Sequence, residues 1–190
     1  MARPSKREEI ARAALQRFHA QGFHATGIAD ITTAAGVPKG SFYNHFSSKE
    51  ESAAEAIGRY GESRRFDMLT APGRPPLQRL RAHFEHLGAE TVESGYAQGC
   101  LMGNLSAEVG DHNDELRGAL RDGFATWAGH IRQVLAEARE AGDIAPGLDI
   151  AATSLFLLSA WEGTLLTARA EKSYAPFEAF FRTVFEVVLR

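Results

Sequence analysis

With 190 residues, 44% hydrophobic and 24% charged, the chain can bury a core as one mid-sized domain or as a small module fused to a larger one. Its one cysteine, Cys100, excludes an intrachain disulfide and a cysteine zinc cage, and no apolar run approaches the roughly 20 residues that span a bilayer. The net charge of −3 divides unevenly, seven Lys/Arg against four acids in residues 1–50 and 14 against 20 beyond, as suits a nucleic-acid-facing head on an acidic body.

Residues 1–7 lead into an amphipathic pattern with no signal-peptide core, so the expected compartment is the cytoplasm. Ile10, Ala14 and Phe18 recur every four residues, predicting a first helix that stops at Gly22. A second helix is predicted over 28–35, ended by Gly36, and a third over 38–45 with Pro38 in its first turn. Ser48 and Glu51 form a capping box that opens a fourth helix running toward Leu69. The stretch 70–76 is the clearest break. Helices follow over about 77–94, 100–109 and from a cap at Asn113 or Asp111 to 141, with turns at 95–99 and 142–147. Residues 149–170 are strongly apolar, and Pro176 opens a last helix. No strand is predicted. The expected fold is all-α with about nine helices, a three-helix head at 1–47 and a helical body at 48–190.

The two short helices joined by Ala34-Ala35-Gly36-Val37 have the geometry of a helix-turn-helix, with Gly36 allowing the left-handed backbone of the turn. The third helix then enters the major groove, N-terminal residues first. Phe42 and Phe46 face the head's core with Ile10, Phe18 and Ile31, leaving Lys39, Ser41, Tyr43, Asn44 and His45 outward. Gly40 lets the backbone sit close to DNA. The bland alternative is a helix-turn-helix that only packs helices.

The residues Gly22-Phe23 with Thr26, Ile28-Ala29-Asp30-Ile31, the run from Ala34 to Phe46, and Ser48-Lys49-Glu50 resemble the DNA-binding signature of the TetR family of repressors over roughly 7–55. The resemblance implies that Thr26, Lys39, Gly40, Ser41, Tyr43, Asn44, His45 and Lys49 lie at DNA. Tyr43, His45 and Lys49 would position the protein on phosphates, and Lys39, Ser41 and Asn44 would reach bases. Gly27 departs from the family's usual Ser or Thr cap, which puts one phosphate contact in doubt and leaves the fold intact. The resemblance further implies a homodimer built by the last two helices, a palindromic operator, and a helical body that takes a small effector, with no cofactor. Small Ser159, Ala160, Gly163, Thr164 and Thr167 beside Phe177, Phe180, Phe181, Val184 and Val188 fit that interface; burial within one chain is the other reading.

Gly99-Cys100-Leu101-Met102, Leu105-Ser106-Ala107-Glu108-Val109, Ala160-Trp161 and Gly163 are similar to the N-ethylmaleimide-responsive branch of that family. This implies that Cys100 senses electrophiles or oxidants. Read from chemistry alone, a thiol at a helix N-terminus has a lowered pKa and a reactive thiolate; the other reading, common for this residue type, is a buried, inert space-filler. The alternative function is the same repressor induced by a non-covalent lipophilic drug or metabolite. Cys100, Met102, Phe84, Trp127, Phe156 and Trp161 are the candidate effector residues, and Arg169 a candidate positive charge near the thiol. No metal site is expected: His83 and His86 lack a third ligand, and the acidic run at 111–115 lacks the spacing of a calcium loop. Nothing places Cys100 with a histidine base on strands or a Gly-rich loop, so an enzyme is not expected.

Overall fold

A computed structural model describes residues 5–190. The described chain is all-α: α1 (Lys6–Gln21), α2 (Ile28–Ala34), a 3-10 segment (Lys39–Asn44), α3 (Lys49–Glu62), α4 (Asp67–Thr70), α5 (Pro76–Glu93), α6 (Leu101–Val109), α7 (Asp114–Glu140), α8 (Ile150–Glu171) and α9 (Ala175–Thr183), which runs into a π turn (Val184–Val188). It forms two compact units. The first ends at Ser63 and resumes over Cys100–Gly123; the second is Arg64–Gly99 with Phe124–Arg190.

In the first unit, Ile10, Phe18, Ile31 and Phe42 are wholly buried and Phe46 nearly so, the face that the four-residue spacing predicts. Each such side chain contributes about 1.5–3 kcal/mol by leaving water. Ser5 caps α1 by accepting from the Glu8 N–H, and Gly22 ends it at φ 82°. The Arg59 guanidinium grips both oxygens of Glu8 at 2.7 Å and also bonds Glu55, while Arg7 reaches Glu55 as well, tying α1 to α3. The expected capping box at α3 has a variant second arm. Ser48 Oγ accepts from Glu51 N–H at 3.0 Å, but the Glu51 carboxylate turns to the N–H and hydroxyl of Ser47.

Two predicted helices change form. The segment after the turn is 3-10, with Pro38 outside it in extended backbone (ψ 144°) and Ser41 N–H donating to the Pro38 carbonyl at 2.8 Å. Only six residues are available, one of them Gly40, and short helices favour the tighter winding. The helix expected to run from 48 toward 69 breaks after Glu62, where Arg65 adopts a left-handed φ of 53° and pairs in parallel with both oxygens of Asp67. No Gly or Pro stands at 63–66 to signal it.

In the second unit, Phe84, Trp161, Phe177 and Phe180 form one aromatic cluster, with Trp161 4.9 Å from Phe84 and 5.1 Å from Phe180 by ring centroids. Phe66 anchors the stretch before α4 among His83, Trp127 and His130. The buried Arg79 donates to the Leu69 carbonyl at 2.7 Å and pairs with Glu137 on α7. Asn113 is the α7 cap, its Oδ1 accepting from Leu116 N–H at 2.9 Å, so the acidic run is a helix start. One expectation is corrected: α8, 22 residues holding an 18-residue stretch of mean hydropathy 1.3, is long and apolar enough to cross a membrane. Here it packs Leu157, Trp161, Leu165 and Ala168 into the core and carries Glu162 and Arg169.

Candidate DNA-binding and effector sites

The 3-10 segment is held to the head by Phe42 and Phe46, which leaves the intervening side chains at the surface. Tyr43 is 59% exposed, Lys39, Gly40 and Asn44 are exposed, and Ser41 and His45 are half-buried. Tyr43 stands edge-on to Phe42, with ring centroids 5.5 Å apart. These residues form one polar, positively charged ridge at the place where a recognition helix would sit.

Two expected DNA residues behave differently. Thr26 is fully buried and its hydroxyl donates to the Gly22 carbonyl at 2.7 Å, so its side chain closes the α1–α2 turn. Lys49 Nζ donates to the carbonyls of Phe23 (3.0 Å) and Thr26 (3.1 Å) and lies 4.0 Å above the Phe23 ring. That leaves one of its three N–H groups for an outside acceptor. Gly27 is capped from the other direction, its N–H donating to the Asp30 carboxylate at 2.8 Å.

The candidate effector residues divide between the units. Cys100 is buried at the N-cap of α6, and Met102 beside it is wholly buried where Gly123 makes room: a Cβ on Gly123 would meet its sulfur at 2.8 Å. Phe84, Trp127 and Trp161 are wholly or almost wholly buried in the second unit. Trp127 Nε1 donates to His83 Nε2 at 3.1 Å, which places the His83 proton on Nδ1. Burial drives the His83 pKa down to about 3, opposed by the Arg65 backbone and reinforced by His86, Arg64 and His130, so the ring is neutral. His83 Nδ1 and Trp161 Nε1 are buried without a partner in bonding geometry. Phe156 stands apart from these: it is 51% exposed and lines an open groove of about 570 Å³ between α8 and α9. Helical phase turns it away from Trp161, five residues on. Arg169 reaches the Gln98 carbonyl at 3.5 Å and Lys172 the Tyr96 carbonyl at 2.7 Å, so the turn before Cys100 is tied to the end of α8. His86 lies near Glu90, and no cluster of three metal ligands exists among the described residues.

Residues 10–56 match the model of bacterial regulatory proteins of the tetR family, and residues 76–184 match that of the tetracyclin repressor-like C-terminal domain. The chain belongs to the TetR family. It is 33% identical to the transcriptional repressor DhaR of a Mycobacterium species, across 100% of this chain and 95% of that one. It is 28% identical to the repressor NemR of Escherichia coli, across 83% of this chain and 81% of that one. Among solved structures, a TetR regulatory protein from Rhodobacter sphaeroides superimposes with a TM-score of 0.87 at 31% identity, covering 94% and 96% of the two chains. The reduced form of E. coli NemR superimposes with a TM-score of 0.85 at 25% identity, covering 98% of each. This TetR-family chain is therefore a helix-turn-helix transcriptional regulator and not an enzyme.

In this TetR fold the residues expected at a dimer face divide between the core of the single chain and its surface. Phe177, Phe180, Phe181 and Val184 are buried within the chain against Trp161 and its neighbours. The exposed apolar residues of α8 and the C-terminal turn are instead Leu155 (59%), Phe156, Leu166 (62%) and Val187 (70%), beside exposed Gly163 and Thr167. Leu155 and Leu166 are eleven apart, three helical turns, a spacing that marks one face once the opposite face is known to be core. Spacing in the sequence gives Glu108 no role. Its partners lie 84 and 85 residues away, and no local pattern connects them.

Proposed function

We propose that this chain is a homodimeric repressor that holds a palindromic operator through two 3-10 recognition segments and lets it go when a small effector occupies the body. The observation that carries the reading is the segment Lys39–Asn44, anchored by Phe42 and Phe46 with its polar side chains outward. A two-fold dimer would set the two segments in successive major grooves about 34 Å apart. Selection from random duplex DNA is the test: enrichment of a palindrome supports the reading, and no enriched sequence at low salt defeats it. On the selected operator, Asn44→Ala is expected to weaken binding by roughly 10- to 100-fold with much less loss on unrelated duplexes. Tyr43→Ala is expected to weaken all duplexes about equally; a loss confined to the operator would move Tyr43 from phosphate to base reading.

The effector is read as a reversible ligand. Cys100 is 3% exposed, which disfavours attack by a reagent from solvent. Trp161 Nε1, buried without a partner in bonding geometry, favours a ligand carrying a hydrogen-bond acceptor on an apolar frame. Cys100→Ser is accordingly expected to keep operator affinity within about twofold. N-ethylmaleimide tests the other reading: operator release by the wild type that Cys100→Ser abolishes would establish thiol sensing.

A further inference from the structure

The α1–α2 turn is gripped from two sides within the first unit. From α3, Lys49 Nζ takes the carbonyls of Phe23 and Thr26. From α6, the Glu108 carboxylate takes the amides: Phe23 N–H donates to Oε2 at 2.8 Å and His24 N–H to Oε1 at 2.5 Å. Bonds to an ionised acceptor are roughly twice as strong as neutral ones, and two from consecutive amides fix direction as well as distance. Gly22 makes the approach possible, since a Cβ there would lie 2.5 Å from Glu108 Oε2 at a φ of +82°. The turn so held ends α1 and leads into α2, the helix that carries the recognition segment.

Glu108 stands on a helix with no slack of its own. Leu101, Met102, Leu105 and Val109 bury one face of α6, and Cys100 caps its start. Eight residues of α-helix carry a displacement of that cap about 12 Å along the axis to Glu108. The geometry points to Glu108 as a positioning residue for DNA binding: its carboxylate fastens the reading head to α6, so that a shift of α6 moves the α1–α2 turn and changes operator affinity. This rests on the head being a DNA reader, but the contact itself can be tested with no DNA present.

The test is amide hydrogen exchange on the full chain and on Glu108→Gln, alone and with the selected operator. Gln keeps the size but offers one acceptor and a donor that opposes an N–H. Without DNA, the amides of Phe23 and His24 should exchange at least tenfold faster in the variant while Ile31 and Phe42 keep their rates. With DNA, the wild type should gain protection in α6 as well as in the recognition segment; in the variant affinity should fall on the order of tenfold and the α6 protection should vanish while the recognition segment is still protected. Loss of that transmitted protection is a readout that general destabilisation would not give. Wild-type exchange at Phe23 and His24, or undiminished protection of α6, would overturn the assignment. Gly22→Ala attacks the same contact from the turn and should reproduce the uncoupling if Glu108→Gln fails to fold. If no operator is selected, the DNA-reading proposal fails, while the exchange of Phe23 and His24 still decides the clamp.

Discussion

Replacing Leu166 with glutamate is expected to leave the chain folded but monomeric, and to weaken operator binding by on the order of 100-fold or more. Leu166 is 62% exposed in the single chain, so a carboxylate there loses little solvation and the fold of one protomer does not depend on it. In a dimer closed through α8 and the C-terminal turn, the same position would bury a charge from each protomer, because a two-fold interface uses the same patch of both subunits. The effect on DNA follows from geometry. Two linked recognition segments bind the second half-site at a high effective concentration, worth about 10²–10⁴ in affinity, and a monomer forfeits it. Sedimentation should show the halved mass and circular dichroism an unchanged helix content. A dimeric Leu166→Glu protein with wild-type affinity would put the interface elsewhere.

The second large effect concerns stability and pH. His83 is neutral in the folded protein, with a pKa near 3 against an ordinary value of 6.5. As pH falls through 6.5 the unfolded chain takes up this proton and the folded chain does not, so stability is present above 6.5 and lost below it. The loss amounts to roughly 2–3 kcal/mol by pH 4.5 and on the order of 4 kcal/mol near pH 3. Arg64, His86 and His130 all push the ring the same way, while the Arg65 backbone opposes. Glu137, held low by its bond to Arg79, and Glu8, held low by Arg59, add their own acid loss only below the ordinary carboxylate range. The interval from pH 6.5 to 4.5 is therefore diagnostic. His83→Gln keeps an acceptor for Trp127 and removes the proton, so its denaturation midpoint should be nearly flat across that interval. A variant that falls as steeply as the wild type would assign the acid sensitivity to another group.

The parts of this protein legible in the sequence were those carried by local periodicity and end signals. Ile10, Phe18, Ile31, Phe42 and Phe46 declared the head's core by spacing, Gly22 and Gly36 its turns, and Asp111 or Asn113 the start of the long helix. What escaped was set by contacts distant along the chain. Arg65 breaks a helix without a breaking residue, because Asp67 pairs with it and Phe66 is drawn among His83, Trp127 and His130. Thr26 carries a hydroxyl suited to a phosphate, yet the nearby Gly22 carbonyl takes it first. Phe156 and Trp161 read alike as aromatics on an apolar helix, and only the packing of Phe84 and Phe180 decides which is core.

The discontinuity of the first unit has a consequence for how the protein is made. Its helices up to Ser63 leave the ribosome well before Cys100–Gly123, the stretch that completes it. At about 5–20 residues per second, the intervening synthesis takes roughly 3–12 s. Through that interval a nascent chain displays Tyr43 and Lys39 but has no Glu108 to fix the turn behind them. A nascent head therefore precedes the residue proposed to steady it, and until α6 is made its α1–α2 turn is held by Lys49 alone.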